Sequence, residues 1–190
     1  MGEIKNGREN GEGKLNCLNG DVYEGNFKDG SKHGHGTMKY ASGDVYEGQY
    51  ENNLKHGIGR LNFASGDTYF GSFVGDIESG NGTYQYADGD IYEGESLGGI
   101  KCGKGIFKHS SGAVYNGEWL DDKKHGFGIY KYVSGAEYEG EYKNDLKDGK
   151  GVFRFTSGDV YEVRSTLQQF EYETILYLSK TSAMNVGRIF

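Results

Sequence analysis

The sequence predicts an all-β protein in which short antiparallel β-hairpins follow one another as a repeat array. A Tyr-x-Gly element recurs every 23 residues without insertion or deletion, and a Gly-x-Gly element keeps the same step from Gly11/Gly13 to Gly149/Gly151. Each unit also contains two short segments with alternating residue character, as half-buried strands have. The repeated tyrosines are Tyr23, Tyr46, Tyr69, Tyr92, Tyr115, Tyr138 and Tyr161.

The composition agrees with an ordered repeat protein and disfavours several classes of partner. The chain has 190 residues with 34 Gly, no Pro, 16 Tyr and 10 Phe, and disordered low-complexity segments are poor in such rings. Its net charge of −7 argues against nucleic acid, which needs clustered Lys and Arg. Cys17 and Cys102 lie almost four repeats apart, which in a stacked array is roughly 35 Å. A disulfide needs about 7 Å, so we expect free thiols in a cytoplasmic protein.

Each repeat is predicted to have one face of glycine and large apolar residues. In the unit at 23–45, the first strand places Tyr23, Gly25 and Phe27 on this face. The second strand adds Gly34, Gly36, Met38 and Tyr40. Because glycine weakens a strand, both glycines of each Gly-x-Gly are predicted to be the floor on which rings lie.

Two kinds of turn connect the strands, and they suggest a register. Ala41-Ser42-Gly43-Asp44 and its copies form one kind, and Lys28-Asp29-Gly30-Ser31 and its copies form the other. If Tyr40 lies opposite Tyr46, then opposite charges meet across the Ser-Gly turns on the outer face. The predicted pairs are Lys39 with Glu47, Lys131 with Glu139, and Arg154 with Glu162.

Both ends of the chain depart from the repeat. Residues 1–10 match the second half of a unit, so the chain begins either with a degenerate cap or inside a longer array. We predict a repeat array over residues 1–163 and a C-terminal cap over 164–190. Val163 and Ser165 break the pattern, and Leu167, Phe170 and Tyr177 fall near one helical face. A helix over 165–179 with a loose tail is favoured, although residues 170–178 also alternate as a strand would.

The repeated string resembles the MORN repeat (membrane occupation and recognition nexus). Tyr46-Glu47-Gly48-Gln49-Tyr50 followed by His56-Gly57-Ile58-Gly59 carries the resemblance most closely, and it covers about residues 2–162. The resemblance implies an elongated, twisted, single-layer, solenoid-like sheet of hairpins with a concave aromatic groove. Such repeats occur in cytoskeletal scaffolds of parasites and cilia, in junctional membrane-contact proteins and beside enzyme domains such as plant lipid kinases.

The fourth repeat departs most from the pattern. Ser96 stands where an aromatic residue belongs. The motif histidine is replaced by Ser79, Cys102 and Asp148 in three units of the array. One interpretation is neutral drift. The other is a notch in the aromatic row that receives a side chain of a partner.

No constellation in the sequence indicates catalysis. The histidines of successive repeats are separated by about 10 Å or more, too far to converge on one zinc ion. The carboxylates of the Tyr-Glu-Gly elements form a ladder rather than a converging pair. We therefore expect no enzymatic activity, no cofactor and no metal.

The leading hypothesis is a non-enzymatic scaffold or adaptor that binds an extended or helical segment of a partner protein in the aromatic groove. The predicted groove residues are Tyr46, Tyr50, Tyr69, Phe73, Tyr92, Ser96, Tyr115, Trp119, Tyr138 and Tyr142. The same rings could instead pack only on one another. We expect such a protein in cytoskeletal or membrane-associated assemblies.

Three alternatives remain open from the sequence. Lysines near one loop edge could bind phosphoinositide headgroups, although nearby aspartates largely cancel their charge. These are Lys32, Lys55, Lys101, Lys123 and Lys124. The chain could also be the accessory region of a larger enzyme such as a lipid kinase. Open strand edges could permit homo-oligomers through the ends of the array.

Overall fold

The computed structural model describes residues 3–5 and 8–165, and every regular element in them is a β-strand. The chain divides into two compact units, one up to Lys101 and one from Cys102. The first contains β1 (Glu3–Lys5), β2 (Arg8–Asn16), β3 (Val22–Lys28), β4 (Ser31–Lys39), β5 (Val45–Glu51), β6 (Leu54–Asn62), β7 (Thr68–Val74), β8 (Ile77–Gln85) and β9 (Ile91–Leu97). The second contains most of β10 (Ile100–Lys108), then β11 (Val114–Leu120), β12 (Lys123–Lys131), β13 (Glu137–Lys143), β14 (Leu146–Arg154) and β15 (Val160–Ser165).

Within each unit, consecutive strands pair antiparallel, from β1 to β9 and from β10 to β15. This confirms the predicted fold class, an all-β single-layer array of antiparallel hairpins. The side chains of one face therefore come from every second residue of every strand.

The Asp-Gly turns are two-residue hairpin loops. Lys28 pairs with Ser31, and the two residues between them, Asp29 and Gly30, both have positive φ, 51° and 82°. Two positive values define the type I′ turn, whose twist suits adjacent strands and which Asn, Asp and Gly adopt at least cost. The equivalent loops are Asn52-Asn53, Gly75-Asp76, Gly98-Gly99, Asp121-Asp122 and Asn144-Asp145.

The Ser-Gly turns are shorter than predicted, so the predicted register is wrong. The Tyr40 amide donates to the Asp44 carbonyl at 2.9 Å, and Gly43 has φ 97°, which leaves a three-residue loop. Met38, not Tyr40, therefore lies opposite Tyr46.

The predicted charge pairs change accordingly. Glu47 faces Thr37 and Lys39 faces Val45. Lys131 forms an ion pair with Glu137 at 3.6 Å instead of with Glu139. Arg154 contacts Glu139 of the preceding strand at 2.9 Å, and Glu162 faces Val152.

The two glycines of each Gly-x-Gly have different roles, which corrects the prediction that both support rings. Gly36 faces Gly25 directly, whereas Gly34 lies in a bulge where His33, Gly34 and His35 face Asn26 alone. Gly34 has φ 71°, a conformation that glycine adopts without strain. The Asn26 amide closes the bulge by donating to the His35 carbonyl at 3.1 Å.

At the C-terminal side, strand β15 ends at Ser165, about where the predicted helix would begin. Residues 166–190, which include the rest of the predicted helix and the tail, lie outside the described residues. Val163 is buried opposite Gly151, at the position that is glycine in the other repeats. The division into a repeat array and a cap stays a prediction, as does end-to-end association.

Candidate binding surface

The repeated tyrosine is the centre of each unit's core. The Tyr23 side chain has no exposed surface, and a Cβ added to Gly36 would lie 2.5 Å from its ring carbons. Its hydroxyl donates to the Asn26 carbonyl at 2.9 Å. Burial raises the pKa of Tyr23 to about 12, so the hydroxyl stays a donor at neutral pH. The ring therefore occupies the space that the missing glycine side chains leave free.

A second ring from each first strand joins neighbouring repeats. Tyr46 contacts Tyr50 of its own repeat and Phe73 of the next, with centroids 5.2 and 5.0 Å apart in edge-to-face geometry. In the second unit, Tyr115 makes the same contacts with Trp119 and Tyr142, at 5.1 and 5.2 Å. Such pairs add about 0.5–1.5 kcal/mol each beyond the area that they bury.

The residues predicted to contact a partner are therefore core residues. At most 6% of the surface of any of them is exposed. They are Tyr46, Tyr50, Tyr69, Phe73, Tyr92, Ser96, Tyr115, Trp119, Tyr138 and Tyr142. A partner cannot contact these rings without displacing their neighbours.

On this face, the rings at the end of each second strand, just before the Ser-Gly turn, are accessible, and in the second unit so are Phe107, Tyr130 and Phe153 two residues earlier. In the first unit, Tyr40, Phe63 and Tyr86 are half-buried, and in the second unit His109 and Tyr132 are half-buried and Phe155 is exposed. Sequence alternation did not separate them from the core rings, because both sets lie on one face. Their distance from the glycine pairs was the available signal, since a ring without a glycine beneath it cannot lie flat in the sheet.

Lysine side chains lie beside these rings at a single position of the repeat. Lys55 lies 5.8 Å from the Tyr40 ring, 5.5 Å from Tyr46 and 5.6 Å from Phe73. Lys101 lies 5.6 Å from the Tyr86 ring, and Lys147 lies 5.5 Å from the Tyr132 ring. These are cation–π distances. Burial lowers the pKa of Lys32, the first member of the series.

We call these residues together the ring-and-lysine row. In the first unit the row comprises Lys32, Tyr40, Lys55, Phe63, Tyr86 and Lys101. In the second unit it comprises His109, Lys124, Tyr132, Lys147 and Phe155. Of the five lysines predicted to bind lipid, four belong to the row. Lys123 precedes Lys124 in β12 and therefore lies on the opposite face.

The fourth repeat has no open notch at Ser96. Tyr84 of the neighbouring strand covers this position, with its ring centroid 4.5 Å from that of Tyr69. Only 7% of Tyr84 and 2% of Ser96 are exposed. The Tyr84 hydroxyl donates a hydrogen bond to Glu78, which occupies the lysine position of the row in the preceding repeat. Ser96 thus cannot receive a partner's side chain while Tyr84 is in place.

Two further searches covered residues 3–5 and 8–165 only. These residues contain no group of three or more His, Cys, Asp or Glu side chains placed to hold a metal ion. They also contain no helix that is long and apolar enough to cross a membrane.

The solved structures that share the fold at low sequence identity include two of the same domain. The wild-type TCP10 domain of CPAP from Danio rerio is 13% identical, with a TM-score of 0.50 over 81% of this chain and 73% of that domain. The same domain in complex with a peptide of Danio rerio STIL is 12% identical, with a TM-score of 0.50 over 81% and 68%. At this identity the likeness concerns the fold alone.

A search of curated protein sequences finds no significant match. The family model of the MORN repeat, in contrast, matches seven consecutive segments. They are residues 1–22, 23–45, 46–68, 69–91, 92–114, 115–137 and 138–160. Since these segments span most of the chain and coincide with the 23-residue structural unit, the protein belongs to the MORN-repeat family.

Proposed function

We propose that this chain is a non-enzymatic scaffold that binds an extended segment of a partner protein along the ring-and-lysine row. The observation that carries the proposal is the pairing of half-exposed rings with partly buried ammonium groups on one face. Tyr40 with Lys55, Tyr86 with Lys101 and Tyr132 with Lys147 are the three clearest pairs.

The row has the physical properties of a recognition surface. A tyrosine ring has few rotatable bonds and offers a large contact area at low entropic cost. Each lysine is held in place by its rings, so less freedom remains to be lost when a partner carboxylate or carbonyl arrives. The core rings beneath keep the surface rigid.

Family membership and the fold neighbours support the same proposal. The CPAP domain of Danio rerio, which shares the fold, was solved in complex with a peptide of STIL. A protein that engages a peptide of another protein is the kind of role that we propose here. Because MORN repeats also occur in cytoskeletal scaffolds, we propose that this protein acts in a cytoskeletal assembly.

The row suits a protein segment better than a phosphoinositide headgroup. The lysines of successive repeats are about 10 Å apart, whereas a phosphate group needs several hydrogen-bond donors around one point. The net charge of −7 also disfavours an anionic membrane surface.

The proposal is tested by removing accessible rings without touching the core. In the first unit we would replace Tyr40 and Tyr86 by Ser and measure capture of partners from extract of the native cell, identifying them by mass spectrometry. We expect captured partners to be lost while the melting temperature stays close to that of the parent protein.

The matched control replaces Thr37 and Glu47 of the opposite face by Ser and Gln, respectively, and should retain capture. Undiminished capture by the ring variant, or its loss from the control alone, would contradict the proposal.

A further inference from the structure

The first unit carries a fixed order of charge along its row. The lysine position of successive repeats is occupied by Lys32, Lys55, Glu78 and Lys101. We infer that the partner segment carries the complementary order, acidic, acidic, basic, acidic, at every third residue, in a polyproline II conformation. This inference rests on the proposed function and specifies the partner that the surface fits.

The three-residue spacing follows from the pitch of the array. Each repeat adds two strands, and adjacent strands are about 4.8 Å apart, so equivalent positions recur about every 9.6 Å. A polyproline II segment has three residues per turn and rises about 3.1 Å per residue, so equivalent side chains recur about every 9.3 Å on one side. An α-helix rises about 1.5 Å per residue and would need between six and seven residues for the same step. The extended segment thus meets successive repeats in register with little distortion.

The reversed charge at Glu78 is half-buried and is held by a hydrogen bond to a core tyrosine. A lysine at this position lies over ring faces, which attract a cation through their negative quadrupole. The same ring face would repel a carboxylate. Glu78 instead accepts a hydrogen bond from the Tyr84 hydroxyl.

Ser96 makes this arrangement possible. The rings at the equivalent position of the two preceding repeats, Tyr50 and Phe73, lie 5.2 and 5.6 Å from the lysines Lys32 and Lys55. With serine in place of a ring, Tyr84 fills the space and directs its hydroxyl to Glu78. Two departures from the repeat, at Glu78 and Ser96, are therefore linked through Tyr84, and together they reverse the charge at this position of the row. Because Glu78 retains further acceptor sites, it can still bind a cationic side chain.

On both sides of Glu78, the lysines of the row lie against aromatic rings, although the rings are not at the same repeat positions. Lys32 lies between the rings of Tyr23 and Tyr50, and Lys101 lies by those of Tyr86 and Tyr92. The order Lys32, Lys55, Glu78, Lys101 is not symmetric, so the surface can distinguish the two chain directions of a bound segment. A uniformly acidic segment would meet Glu78 unfavourably.

The test uses synthetic peptides labelled with a fluorophore and the full chain, with anisotropy as the measurement. The pattern peptide has ten residues, with proline at the spacer positions and glutamate, glutamate, lysine and glutamate at every third position. Comparison peptides carry the pattern in reverse chain order, glutamate at all four positions, or the same charges at seven-residue spacing in a helical sequence. Vesicles containing phosphatidylserine and a phosphoinositide form the last probe.

The protein variants change the charge at one point. Glu78→Lys restores the sign found in the other repeats, and Glu78→Gln removes the charge but leaves an acceptor for Tyr84. Glu47→Lys makes the same change of charge on the opposite face and is the matched control.

We expect the parent protein to prefer the pattern peptide, in one of its two chain orders, over the all-acidic peptide by about 3- to 10-fold. Glu78→Lys should reverse this preference and Glu78→Gln should remove it, whereas Glu47→Lys should leave it unchanged. Equal affinity for both peptides, tighter binding of the seven-residue helical peptide, binding to vesicles alone, or no peptide binding at millimolar concentration would each overturn the inference.

The two proposals fail separately. If the Tyr40 and Tyr86 variant loses its cellular partners but no preference depends on Glu78, the row binds protein and only the charge order is wrong. If partner capture survives removal of the rings, the proposed function is wrong as well.

Discussion

The hairpin loops of the two units are built on the same strand pattern but are connected differently. In the first unit, the carboxylates of Asp21, Asp44 and Asp67 accept hydrogen bonds from the amides of Ala41, Ala64 and Ala87 in the next loop, each at 2.8 Å. In the second unit, the buried residues Ala113 and Ala136 occupy the same repeat position. Asp159 follows at this position, and its carboxylate accepts a hydrogen bond from Ser157 of its own loop.

This difference between the units shows which interactions are common to every repeat and which vary. The ring contacts around Tyr46 in the first unit and Tyr115 in the second are the same. Both tyrosines are fully buried and donate to the carbonyls of Gln49 and Glu118 at 2.9 Å. The hydrogen bonds between successive Ser-Gly loops differ between the two units. Stacked rings over paired glycines therefore hold the repeats together, and the aspartates add a local, titratable connection between loops of the first unit.

The largest expected loss of stability comes from replacing a paired glycine beneath the ring stack, which both units share. Gly48→Ala in the first unit and Gly117→Ala in the second place a Cβ 2.6 Å from the Cα of the paired glycine, Gly59 or Gly128. Because neither the backbone nor the ring can move freely, we expect each to cost about 3 kcal/mol of unfolding free energy. Hydrogen exchange measured by mass spectrometry should show the loss in the unit that carries the substitution.

The exposed, opposite-face substitution His35→Ala is the control and should have little effect. Unequal losses from the two glycine substitutions would show that the ring stacks are not equivalent.

A smaller change in stability and in amide exchange is expected from substitutions at the loop position occupied by Asp44 and Ala136. Asp44→Ala removes the acceptor of the Ala64 amide, so that amide should exchange faster, with less loss of stability than Gly48→Ala causes. Ala136→Asp supplies a carboxylate at the corresponding place in the second unit, and the Thr156 amide should exchange more slowly. Amide-resolved exchange by NMR measures both changes. If Ala136→Asp leaves Thr156 unprotected, the loops of the two units differ in backbone geometry and not only in this side chain.

The smallest effect is a difference in acid sensitivity. The hydrogen bonds from the Ala64 and Ala87 amides, and then those from Ser42 and Ser65, hold the pKa values of Asp44 and Asp67 below the usual value of an aspartate side chain. A lowered carboxyl pKa means that the contribution to stability is complete above the unfolded-state value and is lost as the pH falls through the folded-state value.

Amide protection in the first unit should therefore decrease at acidic pH through these two groups, and the loops at Ala113 and Ala136 lack this contribution. Asp44→Asn with Asp67→Asn keeps an acceptor that does not titrate and should flatten the pH dependence. A pH profile unchanged by this pair of substitutions would contradict the assignment.

Much of the fold could be predicted from the sequence because the signals for strands and turns lie within each repeat and recur in every repeat. The 23-residue step, the alternation and the turn residues predicted hairpins and the buried face. The register was wrong by two residues, since the length of the Ser-Gly loop depends on the conformation of Gly43 and not on its identity alone. The assignment of partner-binding residues was limited for a related reason. Alternation identifies a face, but it does not tell which rings of that face are covered by others.

The interpretation of Ser96 shows the same limit. From the sequence, a missing ring was either drift or an open notch, because its neighbours in space were unknown. In the structure, Tyr84 fills the gap and Glu78 accepts its hydroxyl. Glu78 and Ser96 are eighteen residues apart in the chain, so no local pattern connects them.

The sequence by itself determined the strands, the hairpin order and the family, because backbone conformation and side-chain alternation depend on residues close together in the chain. Only the tertiary structure decided which rings are core and which are accessible, where the lysines lie, and that Asp44 bonds to the next loop. These depend on contacts between residues about twenty positions apart, whose distance is set by the register and by the packing of whole repeats.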